Sequence, residues 1–250
     1  MKENSPPRVC AYCGEHEAAL TDDHVPPKLF LVKPYPPDLP TVAACLRCNQ
    51  SFMKDDEYVR TVLSRDTRAQ SNLAAQLHAP VVERALARSA TARFKEYLEA
   101  NTTPSVILAA DGNPMGQFMN IDETRMVAVG ERLIRGLYFY EKCERVPNDA
   151  KVTVGWLAGL RSLDAEMLVI ARPFTVLKDQ RDRAFGDAFS YMAGFGPKAS
   201  VWLLVLYDYI FWAGTILDAD HAAIRPMKPS DESHSPRESG TSGWLGTAYW

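Results

Sequence analysis

The sequence predicts an α+β protein that combines a small metal-stapled module, a helical connector and a mixed α+β C-terminal domain. Two Cys-x-x-Cys pairs lie within the first 50 residues, and apolar residues recur at helical spacing from Asp55 onward. Later stretches rich in β-branched and aromatic residues indicate strands, and they follow no βαβ rhythm. We expect the module at residues 1–60, the connector at 61–104, the α+β domain at 105–217 and a flexible tail at 218–250.

Charge and hydropathy narrow the class of protein. The chain has 250 residues, of which 46% are hydrophobic and 24% charged, as in ordinary soluble globular proteins. Its net charge of −3 gives no overall basic surface for nucleic acid, but the stretch from Arg60 to Lys95 holds seven basic and two acidic residues. That stretch is either a phosphate-binding surface or an ordinary solvated helix face.

No segment has the pattern of a secretory signal or a membrane span. The first residues are polar, without the apolar core of a signal peptide. The longest apolar stretch, residues 201–217, contains Asp208 and is shorter than the roughly 20 residues that a spanning helix needs. We therefore expect a cytoplasmic protein with no membrane association, and a strand or pair of strands at this stretch.

The cysteines predict a structural zinc site. Four of them form the pairs Cys10-Ala-Tyr-Cys13 and Cys45-Leu-Arg-Cys48. In a reducing compartment two such pairs favour metal ligation over disulfides, and two tight turns of this kind bring four thiolates into the tetrahedral geometry that zinc accepts. The fifth cysteine, Cys143, lies in an apolar helical stretch, where we expect a small core residue.

The segment between the pairs is longer than a zinc ribbon requires. It runs over residues 14–44, or 31 residues, whereas ordinary knuckles are separated by roughly 15–20. Its centre reads Leu20-Thr-Asp-Asp-His24-Val-Pro-Pro-Lys28-Leu-Phe30, and Asn49 follows the second pair directly. A further element with polar side chains is therefore enclosed by the two pairs.

The ordered series Cys-x-x-Cys, Asp-His-Val-x-Pro-Lys and Cys-x-x-Cys-Asn resembles the HNH endonuclease family, the ββα-metal nucleases, in its zinc-stapled branch. The match covers residues 8–60. It implies a metal-dependent endonuclease that hydrolyses phosphodiester bonds in nucleic acid, DNA more than RNA, and leaves 5′-phosphate ends. It further implies His24 as general base, with Asp23 and Asn49 as ligands of a catalytic divalent metal, Mg²⁺ or Mn²⁺.

Helical spacing adds a candidate ligand for that catalytic metal. From Asn49, the same face of a continuous helix reaches Met53 and then Asp56. A thioether is a poor ligand for a hard cation, so Asp56 is the better candidate. The neighbouring Glu57 lies farther from the helix face of Asn49 and is a weaker candidate.

Two features depart from the family pattern. The family's middle Asn is missing, because the chain reads Leu39-Pro-Thr-Val-Ala-Ala44 before the second cysteine pair. In addition, the neighbours Asp23 and His24 face opposite sides of a regular strand, so they can meet one phosphate only where the strand bends or ends. Pro26 and Pro27 predict an early end.

Nucleic acid is the expected partner of the module, and the candidate phosphate contacts are Lys28, Arg60, Arg65 and Arg68. The alternative is a non-catalytic zinc-binding module for a nucleic-acid or protein partner, which the missing Asn and the total charge favour. In a third interpretation, the zinc only staples a protein whose function lies in residues 105–217.

The remaining chain carries no motif that names a chemistry. Pro80 is expected to divide the connector into two helices. We then predict a strand at 105–110, an amphipathic helix from Ile121 to Cys143 capped by Asp122, and strands at 151–157, 185–194 and within 201–216. This domain of unknown role offers a surface for a homo-oligomer or a protein partner.

Overall fold

The computed structural model describes residues 9–16, 19–66, 72–104, 117–157, 174, 177–208, 210–218 and 247–249. The fold is mixed α+β. The N-terminal module contains strands β1 (Thr21–His24) and β2 (Thr41–Ala44), which pair antiparallel, and helix α1 (Leu46–Ser51) follows directly. A 3-10 turn (Lys28–Phe30) lies in the loop between the strands.

The connector is helical, but its break lies elsewhere than predicted. Its helices are α2 (Met53–Ser64), α3 (Leu73–Leu86) and α4 (Ala92–Ala100), with a 3-10 turn (Ser89–Thr91) before α4. Helix α3 runs through Pro80, which is exposed, so the predicted break there is wrong. Buried His78, Val82 and Leu86 on the other side of α3 anchor both halves, and this packing outweighs the hydrogen bond that proline removes.

Helix α5 (Glu123–Lys142) is the longest helix that the structure describes, and it confirms the amphipathic prediction. Asp122 caps it by accepting a hydrogen bond from the backbone N–H of Arg125, 3.3 Å away. The helix ends at Lys142, and Cys143 takes a left-handed conformation with φ of 54°. Cys143 is exposed there, so its predicted place in the core is wrong.

Antiparallel strands form two sheets beyond the connector. The larger has the order β5-β9-β8-β7-β6, and the smaller has the order β10-β4-β3. Strand β5 matches the predicted residues 151–157, and the apolar stretch from residue 201 forms most of the hairpin β8–β9. The strand bounds are β3 (Thr102–Pro104), β4 (Gln117–Asn120), β5 (Lys151–Leu157), β6 (Asp179–Phe185), β7 (Phe189–Phe195), β8 (Ala199–Leu206), β9 (Ile210–Leu217) and β10 (Thr247–Tyr249).

One hydrophobic cluster joins the module to the rest of the protein. Helix α5 packs against α2 and β2 as well as β5 and β9. The indole N–H of Trp212 in β9 donates to the carbonyl of Met126, 2.9 Å away, and the hydroxyl of Tyr207 donates to the carbonyl of Phe30, 3.2 Å away. Val25 and Phe30 of the module lie in the same buried cluster as these residues.

Some predictions fall on parts of the chain that are not described. The strand at 105–110 lies outside the described residues, as does most of the tail, of which only Asp218 and the strand β10 are described. The domain boundaries proposed from the sequence remain predictions. Within the described ranges, no helix is long and apolar enough to cross a bilayer.

Candidate metal centre and catalytic site

The four predicted zinc ligands converge. The Sγ atoms of Cys10, Cys13, Cys45 and Cys48 all lie within 4.8 Å of one another, and the Sγ atoms of Cys13 and Cys45 are 3.7 Å apart. Tetrahedral zinc with bonds of about 2.3 Å to sulfur requires sulfurs about 3.8 Å apart. The donor set and its spacing therefore fit a structural metal ion of the zinc type. Exposed Cys143 is not part of this group.

Local backbone geometry builds each half of the cluster. In the first pair, Gly14 at φ of 77° lets its N–H donate to the carbonyl of Cys10 over 2.9 Å. In the second pair, Cys45 is the N-cap of α1 and its sulfur accepts from the N–H of Cys48 at 3.4 Å. Burial raises the pKa of the Cys10 thiol, but hydrogen bonds from the backbone of Cys13, Cys45 and Tyr12 outweigh burial and lower that pKa to about 7. Burial and hydrogen bonds to the neighbouring cysteines instead raise the pKa of the Cys48 thiol, so a bound metal ion is what would hold all four cysteines as thiolates.

Strand β1 separates the two central candidates, as the alternation of strand side chains requires. Asp23 is buried, with 7% of its surface exposed, whereas His24 is half-buried on the other face. The strand ends at His24, as the two prolines predicted. Immediately beyond it, the N–H of Val25 donates to the carbonyl of Pro40 over 2.9 Å, which continues the pairing of the two chain segments past the end of the strand.

Asp23 and Asn49 lie on the same side of β1. The Asn49 amide donates to Oγ1 of Thr21 over 3.0 Å, and Thr21 precedes Asp23 by two residues, which places both on one face of the strand. The hydroxyl of Tyr12 donates a hydrogen bond to Oδ2 of Asp23. Two of the predicted metal ligands thus share a face, with one carboxylate oxygen of Asp23 already engaged.

Asp56 is buried and contacts helix α5, and its predicted role as a metal ligand stays a prediction. Helix α1 ends before Phe52 and α2 begins after it, so Met53 is 63% exposed while Asp56 is buried. Oδ2 of Asp56 accepts from Nη1 of Arg132 in α5, 2.5 Å away. Burial raises the pKa of Asp56 to about 6, against the opposing effect of Arg132. The carboxylate is ionised at neutral pH and neutralises a buried guanidinium.

The candidate base sits in an environment that keeps it neutral. Burial, and then the nearby positive charge of Lys28, lower the pKa of His24 below 6.5, while Asp23 and Asp22 act in the opposite direction. A neutral imidazole is the form that accepts a proton. The environment of His24 is therefore compatible with a general base.

The predicted phosphate contacts are dispersed. Lys28 is exposed near His24, and its ammonium lies 5.4 Å from the ring centroid of Tyr35. Arg65 pairs with Glu83 over 2.8 Å. The charge of Arg60 acts on buried His78 and Tyr207. Arg68 lies outside the described residues. Of the three described members of this group, Lys28 is the one whose charge acts on the candidate base.

Two residues of the site were missed by the sequence reasoning. Tyr12 lies between the two cysteines of the first pair, and no sequence pattern distinguishes it from an ordinary turn residue. Arg132 carries a clearer signal, because it stands on the apolar side of α5, between the buried positions Val129 and Leu133. A charged residue within a buried helical stripe requires a partner, and here that partner is Asp56.

Comparisons with known proteins supply no assignment for this site. No protein-family model, no curated protein and no solved structure matches the chain. Within the described part of the chain, the four cysteines are the group of His, Cys, Asp and Glu side chains whose geometry suits a metal ion. The chain therefore has a candidate metal-binding cysteine cluster next to a conspicuous Asp-His pair, and its function has to be proposed from that geometry.

Proposed function

We propose that the protein is a metal-dependent HNH endonuclease that hydrolyses phosphodiester bonds in nucleic acid, DNA more than RNA. The observation that carries the proposal is the cysteine cluster, which joins the first knuckle to α1 while β1 presents Asp23 and His24 between them. This β-β-α order, with Asn49 on the helix and bonded to β1, supports the arrangement that the sequence resemblance implies.

The chemistry follows from the positions of three side chains. His24 would accept the proton of the attacking water, and its lowered pKa keeps the imidazole neutral. Asp23 and Asn49 would hold Mg²⁺ or Mn²⁺, which supplies charge stabilisation at the scissile phosphate. Asp23 and His24 face opposite sides of β1, so they can serve one phosphodiester only where it binds at the end of the strand, at His24.

Nicking of supercoiled plasmid DNA tests this proposal. Wild type should nick the plasmid with Mg²⁺ or Mn²⁺ and not with EDTA, and His24→Ala should lose the activity by about 10²-fold or more, as expected for a general base. His16→Ala, at an exposed histidine near the first knuckle, is the matched control and should nick as wild type does. Equal nicking by His24→Ala and wild type would refute the catalytic assignment.

A non-catalytic zinc module for a nucleic-acid or protein partner is the second candidate. It is favoured by the ion pair between Arg132 and Asp56, which engages one of the two acidic candidate ligands. This function predicts binding of a DNA duplex, measured by fluorescence anisotropy, with no cleavage in any divalent metal. Cleavage that depends on His24 would exclude it.

A further inference from the structure

Helix α5 packs against the module through Arg132 and Gly136, two residues one helical turn apart. Arg132 contacts Asp56, and its guanidinium carbon lies 4.8 Å from the ring centroid of Phe52, the residue between α1 and α2. Gly136 follows four residues later on the same helix face. A Cβ at Gly136 would lie 2.8 Å from Cγ2 of Val25 and 3.1 Å from the hydroxyl oxygen of Tyr12.

These contacts continue without a gap to the candidate metal ligand. The Phe52 ring packs edge-on against Tyr12, with centroids 4.9 Å apart and an interplanar angle of 68°. The Tyr12 hydroxyl in turn donates to Oδ2 of Asp23.

The Arg132–Asp56 network buries polar atoms at a desolvation cost. Nε and Nη2 of Arg132 and Oδ1 of Asp56 are buried and have no hydrogen-bond partner among the described residues. An apolar pair of similar volume would avoid that desolvation cost and would often be at least as stable. What the charged network adds is a fixed relative orientation of α2, α5 and the Tyr12 turn.

We propose that Arg132 and Gly136 make α5 a positioning wall, which holds Tyr12 so that its hydroxyl fixes the Asp23 carboxylate for binding a divalent metal ion. The inference rests on the proposed nuclease function in one respect, because it takes Asp23 as a metal ligand. Tyr12 engages one carboxylate oxygen and so restricts rotation of the group, which leaves the other oxygen for the metal. Tyr12, Arg132 and Gly136 are positioning residues in this scheme, since none of them touches the substrate.

Divalent-metal binding tests the inference independently of cleavage. Mn²⁺ binding to the full-length zinc-loaded protein is measured by isothermal titration calorimetry, and Asp23→Asn should abolish the site. Tyr12→Phe removes only the hydroxyl and should weaken Mn²⁺ binding by about 10- to 100-fold, the usual effect of losing a group that orients a ligand. The Mn²⁺ concentration that half-activates nicking should rise by the same factor.

Gly136→Ala examines the wall itself, and Gly155→Ala is its matched control. A methyl group at Gly136 meets Val25 at 2.8 Å and the Tyr12 hydroxyl at 3.1 Å, so we expect Tyr12 to shift with Val25 and Mn²⁺ binding to weaken, whereas a Cβ at Gly155 meets no atom within 4 Å and should change nothing. Zinc content and circular dichroism separate this effect from unfolding, because a purely structural role would not change the Mn²⁺ affinity of folded, zinc-loaded protein. If Gly136→Ala fails to fold, Tyr12→Phe decides alone.

The outcomes separate the two proposals. Wild-type protein that binds Mn²⁺ through Asp23 but does not nick DNA refutes the nuclease and leaves the positioning to be decided by the variants' Mn²⁺ affinities. Wild-type affinity in Tyr12→Phe overturns the positioning wall even if nicking is found, and so does the absence of an Mn²⁺ site that depends on Asp23.

Discussion

Replacing Asp56 by Asn removes the charge that neutralises Arg132 and changes the shape of the side chain very little. The two side chains are 9% and 3% exposed, and their closest nitrogen and oxygen atoms are 2.5 Å apart. The substitution leaves the buried guanidinium without the carboxylate that it contacts, with the charge of Asp23 still nearby, and two of its nitrogens already have no hydrogen-bond partner in the described residues. We therefore expect Asp56→Asn to destabilise the protein.

The burial of the pair sets the expected change in the free energy of unfolding, and the neighbouring Asp55 provides a matched comparison. Removing one partner of a buried ion pair costs about 3–5 kcal/mol, but burial already disfavours the charged form of Asp56, as its raised pKa shows, so the uncharged Asn offsets part of that cost. Asp55 pairs with Arg125 over 2.7 Å, but these side chains are 34% and 23% exposed, so solvent screens the pair. Exposed pairs contribute about 0–1 kcal/mol, and Asp55→Asn should cost no more than about that amount.

Urea unfolding at pH 7.5, where Asp56 is ionised, measures both free energies of unfolding. The m-values should stay equal, so the difference appears in the midpoints. Asp56→Asn together with Arg132→Met should recover part of the loss, because the double variant leaves no buried charge unpaired. The reasoning is refuted if Asp56→Asn costs no more than Asp55→Asn.

Three further predictions concern the metal, the packing and the pH dependence. Metal analysis should find one zinc ion per chain in wild type and none in Cys48→Ser, while Cys143→Ser, at an exposed cysteine outside the cluster, should keep the ion. Gly130→Ala places a Cβ 2.5 Å from Cδ1 of Trp212 and should lower the free energy of unfolding by about 1–3 kcal/mol; an unchanged urea midpoint would contradict this packing. Burial, and then the charge of Arg60, lower the pKa of His78 in the folded protein. The unfolded chain therefore binds a proton at His78 more readily, and the free energy of unfolding should fall as the pH drops below 6.5. His78→Gln should flatten this pH dependence of the urea midpoint between about pH 7 and 5.5.

Local patterns predicted the features that depend on near neighbours in the chain. The spacing within each cysteine pair predicted two thiolate-bearing turns, and those turns are present. The apolar period of residues 121–143 predicted α5 and its cap at Asp122, because a helix buries one stripe regardless of what packs on it. The prolines after His24 predicted the end of β1.

Patterns failed where a distant contact decides the outcome. Pro80 stays within α3 because buried residues on both sides of it hold the helix together. Asp56 was chosen by counting along one continuous helix from Asn49, and its role as a metal ligand stays a prediction; the count did not foresee that Asp56 is buried against Arg132 of α5. Cys143 is exposed because the helix ends one residue before it.

The sequence by itself determined the metal-ligand set, the α+β class and the candidate residues Asp23, His24 and Asn49, since each depends on residue chemistry and short spacing. Only the tertiary structure decided which groups surround Asp23. Tyr12 and Arg132 are separated by 120 positions in the chain, yet both act on the same buried carboxylates. A buried charge selects its partner by proximity in space, and the packing of α5 against the module, which no short pattern encodes, sets that proximity.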